Sequence, residues 1–433
     1  MTPGSDGDDA DLLSPDDARI LSMESPTITG HTLKLVVLEP GSAAIDLAAL
    51  RASVAARLAT QPRAMQRADT SGAQPRWVPA AEFDISHHVR RHDGSGADLW
   101  QTVSALMAQH LDRRRPLWSF DVIGPLADGR EAIAVRIHHA MADGIAAVRF
   151  LHAVLWDEQP EPSAREHAPG AGPPQHAGTL GELWRMPAAL RRELGHRGSA
   201  SPFDRPLSGA RELAFTVAPL ADMKAIGATR PVHATVNDVL LAVISGGLRD
   251  WLGSDAAAGE HLRAQIPVSL HHRDEDPGAM GNRDSFINVD LPIAVADPLA
   301  RLDLISSQTR TRKNSGDAVA LYDLFHALGR TRHVASAVQR FAGSAREFSV
   351  AISNVPGPPV AVAVAGRPVA QLFSSSEPGP HHVLRISAIS CAGEVGIGLC
   401  TDPQALPGIT GLAAAIDDSY AELREAVEGS AGD

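Results

Sequence analysis

Hydrophobic positions along the chain change period in a regular way, and the changes outline its elements. At Ser14-Pro15-Asp16-Asp17 a hydroxyl stands where a helix N-cap is needed, proline suits the first turn, and two carboxylates complement exposed N–H groups. The segment HTLKLVVLEP reads as a strand, and Leu47, Leu50, Val54 and Leu58 follow at helical spacing. A helix is predicted over 98–112, leading into the turn DRRRPLW. In EAIAVRI, Ile133, Val135 and Ile137 alternate with smaller or polar residues, as a half-buried strand requires. Beyond Gly144, Ile145, Val148, Leu151 and Leu155 recur at three- and four-residue steps, which gives a helix one apolar face.

Both periods vanish from about 157 to 180, where proline, glycine, alanine and charge dominate, and the stretch reads as a linker. Downstream, ARELAFTVAPL, HLRAQIPVSL, DSFINVDLPI and REFSVAISNVPGPP read as strands and TVNDVLLAVISGGLRDWL as a capped helix. GPHHVLRISAISCAGEVGIGLCTD reads as a hairpin turning near Gly393, and 407–428 as a helix. Strands and helices thus alternate on both sides of the linker. The predicted class is α/β with two halves, 1–156 and 206–433, joined by a linker or crossover at 157–205.

Composition narrows the functions available. With 433 residues, 44% of them hydrophobic, the chain can bury a large core. A net charge of −12 argues against nucleic acid as a partner, which would call for a basic stripe. Two cysteines, Cys391 and Cys400, are too few for a disulfide framework or a zinc cluster. No apolar run reaches membrane-spanning length and the first residues are acidic, so a cytoplasmic location is expected. Lysine occurs only at Lys34, Lys224 and Lys313, a scarcity that reads as codon bias in favour of arginine.

Four adjacent histidine pairs occur, at His87/His88, His138/His139, His271/His272 and His381/His382, and only the second sits at a clean junction between a strand and a helix. In RIHHAMADG, a histidine at a strand end, beside a turn that reaches Gly144, can present its imidazole to a cleft. A neutral imidazole can take a proton from a hydroxyl and later return it. Asp143 can orient a histidine or lock the turn through an arginine. A metal reading would require a third ligand, and the helical H-E-x-x-H pattern is absent. A purely structural pair is the remaining alternative.

Other motifs carry two readings each. Thr235-Val236-Asn237-Asp238 matches a capping box, with a direct role for Asn237 and Asp238 at a site as the alternative. Ser353 and Asn354 precede Pro-Gly-Pro, where they stabilise a turn or line a channel wall. Trp118 reads chiefly as core. The stretch 183–197, with Leu183, Trp184, Leu190 and Leu194 among arginines, is either a solvated connecting helix or a contact with a membrane or lipid-droplet surface.

HHAMADG resembles the HHxxxDG motif of acyltransferases related to chloramphenicol acetyltransferase and of condensation domains. SPDDARILSMES, PRWVPAAEFDISHHVRR, LDRRRPLW, TVNDVLLA, LRAQIPVSL, GNRDSFINVDLPI and ISNVPGP, in that order, are similar to the bacterial wax ester synthase/diacylglycerol acyltransferase family. The resemblance implies two chloramphenicol-acetyltransferase-like halves with a channel at their interface. It implies His139 as catalytic base beside His138, Asp143 as a structural aspartate with an arginine partner, for which Arg263 is a candidate, and Gly144 at the turn. The implied reaction moves a long-chain acyl group directly from acyl-CoA, a co-substrate, to a diacylglycerol or long-chain alcohol, with no cofactor and no metal. A carrier-protein-dependent condensation enzyme and a non-catalytic lipid-binding relative are the alternatives. Three places depart from the family pattern: Ser119 after PLW, the segment TITGHT, and Cys391.

Overall fold

The computed structural model describes residues 12–72, 74–92, 98–157, 201–253, 262–269, 284–315 and 348–430. The predicted linker beyond 157, the stretch 183–197 and the pair His271/His272 lie outside the described residues. Eight helices are labelled along the described chain: α1 (Pro15–Ser22), α2 (Leu47–Arg57), α3 (Leu99–Met107), α4 (Gly144–Val154), α5 (Leu220–Ala228), α6 (Val236–Leu252), α7 (Pro298–Ser315) and α8 (Ile409–Ser430). Ser14 caps α1 as its sequence predicts, its hydroxyl accepting from Asp17 N at 3.0 Å. The helix predicted over 98–112 ends at Met107, and Arg136 Nη1 donates to the carbonyls of Leu106 and Gln109 at and beyond that end, at 2.9 and 3.1 Å.

Two six-stranded sheets carry these helices. The first runs β11 (Ala363–Val364), β12 (Arg367–Ser376), β1 (His31–Leu38), β6 (Glu131–His138), β5 (Trp118–Ile123) and β4 (Val89–His92). The second runs β7 (Glu212–Pro219), β14 (Glu394–Thr401), β13 (Leu384–Cys391), β10 (Val350–Val355), β8 (Arg263–Ser269) and β9 (Asp284–Asp290). A short ribbon, β2 (Gln66–Asp69) with β3 (Arg76–Pro79), stands apart. The α/β class with two lobes is therefore what the chain adopts. The β13–β14 hairpin turns through Ala392 and Gly393, at φ 47° and 96°, as a tight antiparallel turn demands.

One exchange ties the lobes together: β11 and β12, from the second half of the chain, complete the first sheet beside β1. The described crossover thus includes 363–376, late in the chain. Buried charge fixes its start. Glu131, wholly enclosed, accepts from Arg91 Nη1 at 2.7 Å and from Ile45 N at 2.8 Å, and pairs with Arg367 at the head of β12. Every lone pair so used offsets part of the cost of enclosing a carboxylate.

Core residues divide by strand alternation. In β1, Val36 and Leu38 point into the core of the first lobe, whereas Leu33, Leu35 and Val37 point into a smaller cluster shared with Leu213 and Cys400 of the second. The lobes meet closely where β12 crosses β14. A side chain at Gly398 would run into the Ser374 carbonyl oxygen, so only glycine permits the approach. Ser119, where the chain departs from the family pattern, bonds within the same strand. Asp121, two residues on, accepts from Ser119 Oγ at 2.9 Å, Arg90 Nη2 at 2.7 Å and Arg136 Nη2 at 3.0 Å. Burial acts to raise its pKa, but His92, Arg136 and Arg90 together hold it well below the usual carboxylate range.

Gly398→Ala is expected to lower unfolding stability by roughly 1–3 kcal/mol, since neither a carbonyl nor a sheet can retreat cheaply. Gly429→Ala, into open space near the end of α8, is expected to stay within about 0.5 kcal/mol of the parent. Urea unfolding of the two variants side by side checks the contrast.

Candidate active site

The His138–His139 pair stands where β6 ends against the start of β1, with His138 opposite His31. Two backbone bonds hold it. His138 N donates to the carbonyl of Leu117, from the PLW stretch, at 3.0 Å, and His139 N donates to Gly30 O at 2.8 Å. Gly30 has φ 72°, and a side chain there would occupy the space of the His138 ring, so sterics and backbone conformation both demand glycine. His138 is fully buried, and its Nδ1 accepts from Ala140 N at 3.0 Å. The neutral ring then carries its proton on Nε2, 3.6 Å from Glu24 Oε1. His138 is thereby a strut of the turn.

Asp143 caps α4, its Oδ1 accepting from Ala146 N at 2.8 Å. Gly144 opens that helix, and a side chain on it would strike Val355 at the end of β10. The HHAMADG turn and the NVPGP stretch therefore meet across the lobes. Alternation along β10 and β13 sets what faces the turn. Ile389 and Cys391 pack into the core of the first lobe, so Arg385 and Ser387, and their β10 partners Ala351 and Ser353, share that face. Ser353 Oγ lies 3.1 Å from Ser387 Oγ. Asn354 belongs to the opposite face, with Ile352 in the core of the second lobe.

From the first lobe, Lys34 reaches the same seam. It is buried in mid-β1, its Nζ donating to Ser374 Oγ of β12 at 2.7 Å. Burial and the charge of Arg385 lower its pKa to about 8, while Asp143 acts in the opposite sense. His139, half-buried, has its pKa pushed down to about 3 by desolvation, then by the charges of Arg385 and Lys34. Its imidazole is thus held neutral.

Several expectations resolve differently. Arg263, the arginine expected beside Asp143, donates from its Nε to Asp290 Oδ1 on β9 at 2.9 Å. Asp238 completes a capping box with Thr235, and its Oδ1 accepts from Thr309 Oγ1 at 2.6 Å, so both carboxylate oxygens are engaged within the second lobe. Asn237 is half-buried beside it, and among the described residues neither is bonded to the motif. Trp118 is core: its ring stacks on His88 at 4.5 Å and its Nε1 donates to Ala64 O at 2.8 Å. Burial raises the thiols of Cys391 and Cys400 to about 11 and about 12, which leaves them protonated. Among the described residues no three His, Cys, Asp or Glu side chains are grouped as metal ligands. No helix among them is long and apolar enough to cross a membrane. Sequence reasoning missed Lys34, Arg385 and Ser374; a lysine interrupting the apolar run LKLVVL was the available signal.

Comparison with known proteins covers most of the chain. Residues 13–194 match the family model "Wax ester synthase/diacylglycerol acyltransferase catalytic domain" and residues 280–424 match "WS/DGAT C-terminal domain". A protein of Mycobacterium tuberculosis named as a putative diacylglycerol O-acyltransferase is 30% identical over 91% of this chain and 87% of its own. In fold, the chain is similar to the wax ester synthase/diacylglycerol acyltransferase of Marinobacter aquaeolei VT8, with TM-score 0.72, 22% identity, and 96% and 100% of the two chains covered. It is also similar to the starter condensation domain of rhizomide synthetase in complex with C8-CoA and Leu-SNAC, with TM-score 0.62, 14% identity, and 98% and 97% covered.

The buried histidines predict a pH dependence. His139, His88 (pushed down to about 4) and His31 (lowered well below its usual value) are held neutral, chiefly by burial, whereas unfolded histidine titrates near about 6.5. The unfolded chain therefore binds more protons below that value, and stability falls as the medium is acidified through it. Urea midpoints are expected to be level above about pH 6.5 and to decline from there to about pH 5. A midpoint that rises over that acid interval would contradict the assignment.

Proposed function

The chain belongs to the wax ester synthase/diacylglycerol acyltransferase family, and from that premise we propose that His139 is the general base of direct acyl transfer from a long-chain acyl-CoA to a lipid hydroxyl. Acyl transfer to a diacylglycerol or a long-chain alcohol is the family's chemistry, and the protein is an acyltransferase. The observation that carries the proposal is the placing of His139: neutral, partly accessible, and within the field of Lys34 and Arg385 at the seam of two lobes.

In the proposed step, His139 takes the proton of the acceptor hydroxyl as its oxygen attacks the thioester carbonyl carbon. The carbonyl π electrons move onto oxygen and return as the C–S bond breaks. The departing thiolate recovers the proton from the imidazolium, so that ester and free CoA leave with charge balanced. The nearby cations make imidazolium a stronger acid, which eases return of the proton to sulfur. They also favour the negative charge that gathers on the carbonyl oxygen, and a field fixed in advance needs no rearrangement at that moment. Protonated, buried cysteines support transfer without a cysteinyl intermediate. Asp143 would serve the site by capping α4 and by offsetting the positive charge on Lys34.

His139→Ala should reduce acceptor-dependent CoA release by about 10²–10⁴-fold with the unfolding midpoint retained. Purified protein, a long-chain acyl-CoA and either a diacylglycerol or a long-chain alcohol suffice, with free thiol as the readout. Parental activity in the variant would refute the assigned base, and transfer from an acyl carrier protein but never from CoA would replace the donor.

The pH–rate profile offers a separate check. A base already neutral far below its usual titration leaves kcat/KM without an acid limb near about pH 6.5, over the range in which the protein stays folded. An acid limb at that value would mean that the working histidine is an ordinary solvated one.

A further inference from the structure

A carboxylate outside the motif holds the peptide on which His139 hangs. Glu377, nearly buried just past the end of β12, accepts from Thr29 N at 2.7 Å through Oε1 and from Gly30 N at 2.6 Å through Oε2. Arg211 Nη2, ahead of β7, donates to the same Oε1 at 2.9 Å and also to the Thr27 carbonyl. Its Nη1 is anchored on the carbonyls of Ser208 and Ala210, each at 2.7 Å. One ion pair thus grips the Thr27–Gly30 backbone from both sides, and charge-assisted bonds of this kind are the stiffer ones.

The grip leads straight to the reacting ring. Gly30 receives the carboxylate on its N–H, gives its carbonyl to His139 N at 2.8 Å, and abuts the His138 ring with its bare Cα. Three separate segments converge there: the lead-in to β1, the exit of the exchanged strand, and the lead-in to the second lobe. The opposite end of β12 already has its own anchor in Arg367 and Glu131. A second buried ion pair at the exit of β12 therefore has a task the first does not.

We propose that Glu377 and Arg211 are positioning residues that fix the Thr29–Gly30 peptide and through it the placement of His139 relative to the second lobe. The inference rests on the reading of His139 as the base. Glu377→Gln keeps the shape but sets an amide NH₂ against a donor, so the peptide loses one of its two anchors. The ring then shifts, and misplacement by about 1 Å can cost about a hundredfold in rate.

The test compares Glu377→Gln, Arg211→Lys, Glu131→Gln and His139→Ala with the parent, using a long-chain acyl-CoA and a diacylglycerol, with urea midpoints measured alongside. The expected result is a kcat lowered about 10–100-fold in Glu377→Gln, with the KM for acyl-CoA within about twofold. Glu131→Gln, which weakens an equally buried carboxylate at the far end of the strand, is expected to lose at least as much stability while keeping kcat within about threefold. Should Glu377→Gln fail to fold, Arg211→Lys, which retains the charge but loses the fork, carries the same comparison. If kcat in either clamp variant falls only in step with stability, as in Glu131→Gln, the positioning role is overturned. Full activity in His139→Ala would instead overturn the assigned base, and the clamp's purpose with it.

Discussion

Hydrogen bonding between β1 and β12 is the interaction on which the rest of the structure depends. These strands are more than three hundred residues apart in sequence, yet they pair antiparallel with Thr32 opposite Ser376 and Lys34 opposite Ser374. Closing so large a loop costs entropy, although that cost grows only slowly with loop length. The ion pair of Glu131 with Arg367 fixes the head of β12, and glycine lets β14 pack closely against it. Because β12 belongs by sequence to the second half and by pairing to the first, the lobes share a strand as well as an interface.

That sharing creates the environment of His139. Strand alternation turns Lys34 and Ser374 from one sheet, and Arg385, Ser387 and Ser353 from the other, toward a common seam. Enclosure disfavours the protonated form of the histidine, the neighbouring cations add to that effect, and the ring is held neutral as a result. The same field favours an oxyanion. A single arrangement thus withholds charge from the base and offers it to the carbonyl oxygen, which is the pairing that acyl transfer to an alcohol needs. Asp143 keeps the local balance by capping α4 while acting on Lys34.

Much of this was legible in the residues. Helix starts at Ser14 and Thr235 follow from side chains that bond their own backbone, so local chemistry decided them. The hairpin at Gly393 and the strand–turn–helix around HHAMADG are local in the same sense. The strand exchange was not legible, because RPVAQLFSSS lacks both the alternation of a half-buried strand and the continuous apolar run of one with two buried faces. Arginine partners were equally hidden. Arg263 meets Asp290 only because β8 and β9 pair in a particular register, and register is a long-range outcome. Lys34 was visible as a polar interruption in an apolar strand but lacked a partner until β12 was in place, and Glu377 and Arg211 carried no motif at all.

On the proposed mechanism, acyl transfer takes place in the seam beside His139. A crystal structure with a thioether analogue of a long-chain acyl-CoA tests it most directly. The predicted result places the sulfur and its neighbouring carbon against the His139 imidazole, between the Lys34–Ser374 row and the Arg385–Ser387 row. An analogue seated elsewhere, with the His139 ring sealed from it by protein, would contradict the account.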